Sequence, residues 1–222
     1  IKTICFATTI VIARKMIQNG IDALILEGNE AGGHIGPVSI NVLVQEILPH
    51  IKEVPIFVAG GIGRGEVILK FLQLGAAGCQ IGTRFVCANE SIAHSKFKNI
   101  FIKSEARNAQ ISVKIDDRLP VIPVRAIENS ATQNFISEQK KLINLVEKKE
   151  ISLKDAQLSI EHFWAGSLKK AVIDGDVESG SLMAGQSVSL VKKLQSVSEI
   201  FKELTQQIES QINFEQKDSN NG

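Results

Sequence analysis

One histidine of this sequence, His34, is set among glycines, in Gly32-Gly33-His34-Ile35-Gly36. An imidazole changes charge near neutral pH, so it can move a proton or hold an anion at the pH of the cell. Glycines on either side let a ligand approach the backbone closely. Taken from spacing alone, a solitary histidine is equally readable as a satisfied structural side chain. Two further loops carry paired small residues, Gly60-Gly61-Ile62-Gly63 and Gly82-Thr83, about 22 positions apart. Such loops offer backbone N–H groups to an oxyanion, and two of them side by side form a phosphate clamp. The plain alternative is that these glycines only make tight turns between strands and helices.

The elements that must position these loops follow from the hydrophobic pattern. Short apolar runs at residues 3–7, 23–27, 55–59 and 78–81 read as strands. Amphipathic stretches at 11–19, 40–50 and 66–74, and another beginning near Ser91, read as the intervening helices. Strands alternating with helices imply a parallel sheet, either a barrel or a doubly wound sheet. In a β/α barrel the active site lies at the C-terminal ends of the strands, and the loops after the last two strands commonly bind phosphate. All three loops occupy such positions. The connection from Glu27 to Pro37 is long for a strand-to-helix junction, which marks it as functional.

Four βα units account for residues 1–107, half of what a closed eight-stranded barrel requires. The chain opens with Ile1 already inside an apolar run, which reads as a piece of a longer polypeptide. Residues 108–212 change character. The stretch 111–124 is expected to be strand-rich but irregular, because Pro120 and Pro123 block a regular ladder. Helices are expected at 137–149, 153–173 and 186–210, forming a small accessory lobe. The polar residues 213–222 read as a disordered tail.

Other groups are weaker candidates for chemistry. His50, His94 and His162 each sit in or beside a helical pattern, and Arg84 reads as a phosphate contact or a surface ion pair. Cys87 has no neighbouring base in sequence to activate it. The glycine-rich, acidic stretch 174–186 either caps the site from the helical lobe or simply connects helices. About 44% apolar and 22% charged residues are ordinary for a globular chain. A net charge of +1, without a basic face interleaved with aromatics, argues against a nucleic-acid partner. Three scattered cysteines make neither a disulfide framework nor a zinc spacing, and fit a cytoplasmic protein. No apolar run approaches the roughly 20 residues needed to span a bilayer.

The loop Glu27-Gly28-Asn29-Glu30-Ala31-Gly32-Gly33-His34, then Ala59-Gly60-Gly61-Ile62, then Gln80-Ile81-Gly82-Thr83-Arg84-Phe85, resembles the FMN-dependent nitronate monooxygenases and, equally, the flavin-type enoyl-acyl-carrier-protein reductases II. The likeness continues through His94-Ser95-Lys96-Phe97-Lys98 and through Gly175 to Gln186, so it covers nearly the whole chain. It implies the C-terminal half of an FMN-binding (β/α)8 TIM barrel with a helical accessory lobe. It also implies FMN contacts at Glu27, Gly32, Gly33, Gly60, Gly61, Gln80, Ile81, Gly82 and Thr83, and an active-site histidine at His34. The implied substrate is an alkyl nitronate, oxidised with O2, or alternatively an enoyl thioester reduced with NAD(P)H. Glu27 and the Gly175-Asp176-Val177 stretch look more like the reductases, and the breadth of the monooxygenase branch favours the first reading. The N-terminal half-barrel is the implied missing partner, and a non-catalytic remnant or split half is the third alternative.

Overall fold

In the computed structural model, which describes residues 1–220, the chain opens with a four-stranded parallel sheet in the order β1-β2-β4-β5, comprising β1 (Ile4–Ala7), β2 (Ala23–Glu27), β4 (Ile56–Ala59) and β5 (Gly78–Gln80). Between them run α1 (Ile10–Gln18), α2 (Ile40–Ile47) and α3 (Gly65–Gln73). The Thr9 side chain starts α1 by accepting from the Ile12 N–H at 3.2 Å, and Gly20 ends that turn with a φ of +79°. In α2 the buried residues are Ile40, Leu43, Val44 and Ile47, the i, i+3, i+4, i+7 stripe of a helix with one face against a sheet.

Strand register divides the sheet into two faces. Ala7, Leu26, Val58 and Cys79 lie in one row, facing the helices and contributing to the main apolar core. Phe6, Ile25, Phe57 and Gly78 form the row of opposite orientation, and Glu27, Ala59 and Gln80 continue that face at the C-terminal ends. Toward β1 this second face is open, with Ile4 54% and Phe6 48% exposed.

A second, antiparallel sheet in the order β3-β7-β6 joins β3 (Gly33–His34) to β7 (Val124–Ile127) and β6 (Ala109–Ile111). Beyond it, α6 (Ser130–Glu147) and α7 (Leu153–Phe163) enclose a smaller core of Leu119, Phe135, Leu142, Ala156 and Ile160. Phe135, Phe163 and Trp164 form an aromatic cluster with centroids 5.0–5.2 Å apart.

Several elements differ from the sequence expectation. The stretch 111–124 holds regular strand only at its two ends. Its middle is held by the wholly buried Gln139 side chain, which accepts from Ile115 N–H at 3.1 Å and donates to Val113 O at 2.8 Å. A side-chain amide thus replaces the ladder that Pro120 and Pro123 prevent. The helix expected to begin near Ser91 is α5 (Ser95–Lys103), which starts a turn later because His94 caps it through Nδ1, which accepts from Lys96 N–H at 3.1 Å; a one-turn α4 (Thr83–Val86) precedes it directly after β5. Gly166, at φ +72°, breaks 153–173 into α7 and α8 (Ser167–Val172). The expected helix at 186–210 is a short 3-10 turn (Gln186–Leu190) and then α9 (Val197–Asn220). Residues 213–220 are therefore helical rather than a disordered tail, since Glu215 bonds Lys70 and Gln73 on α3; residues 221 and 222 lie outside the described part. No helix among the described residues is long and apolar enough to cross a membrane.

Candidate functional site

At the C-terminal ends of β2, β4 and β5 the chain encloses a cavity of about 220 Å³. It brings together all nine residues expected around a cofactor: Glu27, Gly32, Gly33, Gly60, Gly61, Gln80, Ile81, Gly82 and Thr83. Strand register explains the first group, because Glu27, Ala59 and Gln80 occupy one row pointing to this side. Backbone geometry explains the glycines. Gly60 has φ +100°, a conformation only glycine adopts freely. Gly32 lies so near the Ala184–Gly185 peptide that a Cβ there would stand 2.5 Å from its carbonyl carbon.

The stretch 174–186, readable as cap or connector, sends its last residues to this cavity. Met183 lines it, as does Ser187 just beyond. The Gly185 N–H donates to Thr83 Oγ1 at 3.0 Å and the Gln186 N–H to Glu30 O at 2.9 Å, so this segment bridges two of the glycine loops. Met183 and Ser187 are site residues that composition alone gave no means of selecting, since their approach depends on a long-range turn.

The long loop is held by two charged residues. Glu30 accepts from the Ile40 N–H at 3.0 Å, at the start of α2. Arg125, only 5% exposed, donates through Nε to Asn29 O at 2.9 Å and through Nη1 to Ala109 O. Burial lowers the Arg125 pKa, and nearby Glu30 opposes that shift. In β3, Gly33 pairs with Arg125 and His34 with Val124. His34 is exposed and lines a neighbouring cavity rather than the glycine-lined one. That second cavity, about 390 Å³, lies between β6–β7 and α6–α7, and Met183 lines both.

Glu27 is half-buried, and desolvation raises its pKa above the ordinary carboxylate value. Arg84 does not line either cavity. It is 5% exposed, donating to Leu190 O at 2.9 Å and Gln195 Oε1 at 2.7 Å and pairing with Glu203 at 2.9 Å. His50 is exposed after α2, and His162 is exposed in the last turn of α7. The Cys87 thiol is buried and pushed up to about 11, chiefly by burial, which makes it a packing residue. No group of three potential metal ligands occurs among the described residues.

The sequence profile of the nitronate monooxygenase family matches residues 1–207. A "(3aS,4S,5R,7aS)-5-hydroxy-7a-methyl-1-oxo-octahydro-1H-indene-4-carboxyl-CoA dehydrogenase" of Rhodococcus jostii is 27% identical over 211 residues, covering 85% of this chain and 59% of that protein. A probable nitronate monooxygenase of Staphylococcus saprophyticus is 29% identical, covering 78% of this chain and 52% of the relative. Among solved structures, FabK from Thermotoga maritima superposes with a TM-score of 0.80 at 29% identity, covering 97% of this chain and 63% of FabK. The chain thus spans between half and two thirds of the length of these proteins. With a family match extending from the first strand into the last helix, the chain belongs to the nitronate monooxygenase family.

Proposed function

We propose that this chain forms the phosphate-binding and substrate-facing part of an FMN-dependent oxidoreductase that oxidises alkyl nitronates with O2 to a carbonyl compound and nitrite. The observation that carries the reading is the glycine-lined cavity. A Cβ built on Gly82 meets nothing within 4 Å, so the cavity is left open at the loop that follows the last strand. The residues fit the cofactor: Gly60, Gly61, Gly82 and Thr83 offer N–H groups to its phosphate, while Glu27 and Gln80 suit hydroxyl groups further along it. At about 220 Å³ the cavity is below the roughly 300–1,000 Å³ of sites that enclose a whole cofactor-sized ligand, so it suits the phosphate end. FMN, when bound, supplies two-electron redox chemistry. His34, at the border of the two cavities, holds the anionic nitro group or takes the α-proton of a neutral nitroalkane.

The open face at Ile4 and Phe6 supports a further partner. Parallel sheets of β/α proteins are covered on both faces, and the N-terminal half of a (β/α)8 barrel would cover this one. Three unpaired cysteines fit a reducing cytoplasm. A second reading, reduction of an enoyl thioester with NAD(P)H, is favoured by the apolar cavity beside His34, which exceeds the needs of a small nitronate.

The test compares residues 1–222 with a form extended by the N-terminal half. Yellow flavoprotein from the extended form, releasing nitrite from propyl-2-nitronate in air, is the expected result. NAD(P)H oxidation driven only by an enoyl thioester would replace the first reading by the second. A His34→Ala form with full turnover would remove the histidine from the chemistry.

A further inference from the structure

Two loops of the glycine-lined cavity stand on neighbouring strands, and the last step of register between β4 and β5 is Ala59 with Gln80. Beyond it each loop runs into its own helix, Gly60 to Gly63 into α3 and Gly82-Thr83 into α4. Residues 190–207 touch both. A Cβ built on Gly63 would stand 2.6 Å from Leu190 Cδ1, while Leu190 O accepts from Nη1 of Arg84, the residue after Thr83, at 2.9 Å. Arg84 Nη2 donates to Gln195 Oε1 at 2.7 Å and pairs with Glu203 at 2.9 Å, and Gln195 Nε2 donates to Glu203 at 2.8 Å. One helical turn further along α9, Gln207 Oε1 accepts at 2.7 Å from the N–H of Gly65, the first residue of α3. Gly65 lies so close to α9 that a Cβ there would collide with the Leu204 carbonyl. Glu203 and Gln207 are four positions apart, so one face of α9 addresses both loops.

We propose that α9 is the clasp of the phosphate site, in which Glu203, through Arg84, and Gln207, through Gly65, are positioning residues that fix the spacing of the two loops. The proposal rests on the reading of the glycine-lined cavity as the seat of the FMN phosphate. Neither side chain lines that cavity, so each acts through the loop it holds. A phosphate gripped from two loops needs the N–H donors of both in hydrogen-bond range together, and that range is only a few tenths of an ångström wide. Such precision comes from neighbouring hydrogen bonds that lock the binding groups in place. The Gly65 N–H is one of the first donors of α3, which have no partner inside the helix. By accepting from it, Gln207 seats the start of α3, and hence the end of its loop, against α9.

FMN and riboflavin differ only in the phosphate, so the ratio of their Kd values isolates the phosphate site from the rest of a flavin pocket and from overall stability. Both are titrated, by quenching of flavin fluorescence, into the protein extended by the N-terminal half. Gln207→Ala removes the acceptor facing Gly65 and keeps the Cβ, and Glu203→Gln removes the charge facing Arg84. Each should weaken FMN binding by roughly tenfold, the scale of one hydrogen bond to a charged group, and leave the riboflavin Kd unchanged. Glu215→Gln is the control. Glu215 bonds Lys70 and Gln73 at the other end of α3, so its loss loosens the same helix pair away from the loops. It should lower Tm without moving the ratio.

An unchanged ratio in both Gln207→Ala and Glu203→Gln overturns the proposal and leaves the FMN reading standing. So does an equal fall of the ratio in Glu215→Gln, which would assign the effect to the stability of the helix pair. A parent that binds FMN no more tightly than riboflavin fails the phosphate reading itself, and the proposal with it.

Discussion

Gly82 and Glu27 make different demands on a ligand. Gly82 has φ −101°, which any residue tolerates, and a Cβ there meets no protein atom within 4 Å. Its smallness therefore serves something other than the fold. Gly82→Ala is expected to melt within about 0.5 kcal/mol of the parent, as substitutions away from packed features do. Its FMN affinity in the extended protein should fall at least tenfold, read by flavin fluorescence titration, and an undiminished affinity would remove the phosphate from this loop. Glu27 carries a cost in the folded state, because burial raises its pKa above the reference 4.5. The folded chain then holds the proton more tightly than the unfolded one, so stability falls as pH rises from the unfolded value through the folded one. Glu27→Gln removes that titration. It should raise Tm at pH 7 and lose this advantage below pH 4, where the parent's carboxyl is protonated in both states. Melting curves across pH decide it, and an advantage of equal size at every pH would assign the effect to packing.

Between α4 and α9 the decisive contact is Arg84, whose Nη2 reaches Glu203 at 2.9 Å while Nε is buried without a partner. A cation so enclosed depends on each partner that remains. Glu203→Gln keeps the shape and removes the charge. A loss of about 1–3 kcal/mol is expected, at the lower end because Glu203 is 35% exposed. Urea denaturation checks this through a lower midpoint at unchanged slope. This contact also marks where the sequence stops being informative. Strand and helix periodicities are local, so β1, β2, β4, β5 and α1 to α3 were legible, as were the glycine loops at their ends, whereas the short β3 lay inside what read as a long loop. Arg84 had two local readings, phosphate or surface partner, and its actual partners are 106 to 119 positions away, counting from Leu190 to Glu203. Likewise Gln139 takes over the backbone of Val113 and Ile115 from a helix two dozen residues on. His34 stood out in the sequence as the histidine among the glycines, but its place beside the apolar cavity rather than in the glycine-lined one is set by pairing with Val124, which no local pattern records.

At the scale of the molecule, the two faces of the parallel sheet are unequal. Leu24 and Leu26 on the helix side are fully buried, whereas Phe6 on the other face is 48% exposed, beside Ile25 and Phe57 in the same row. A contiguous apolar surface rimmed by strand ends marks an interaction site or an association hazard. The edge of β1 adds unpaired N–H and C=O groups to the same region. If this face is the interior of a barrel completed by an N-terminal half, polar groups on it should be tolerated by the chain alone and refused by the assembly. The double variant Ile4→Lys with Phe6→Lys tests this, because both positions are about half exposed. In residues 1–222 it should reduce concentration-dependent association in sedimentation velocity and shift the urea midpoint by no more than about 1 kcal/mol. In the presence of the N-terminal half it should lose complex formation and flavin uptake, since burying two unpaired ammonium groups costs several kcal/mol each. A variant that assembles and takes up flavin as well as the parent would exclude this face as the interior of such a barrel, and would leave it to a different partner.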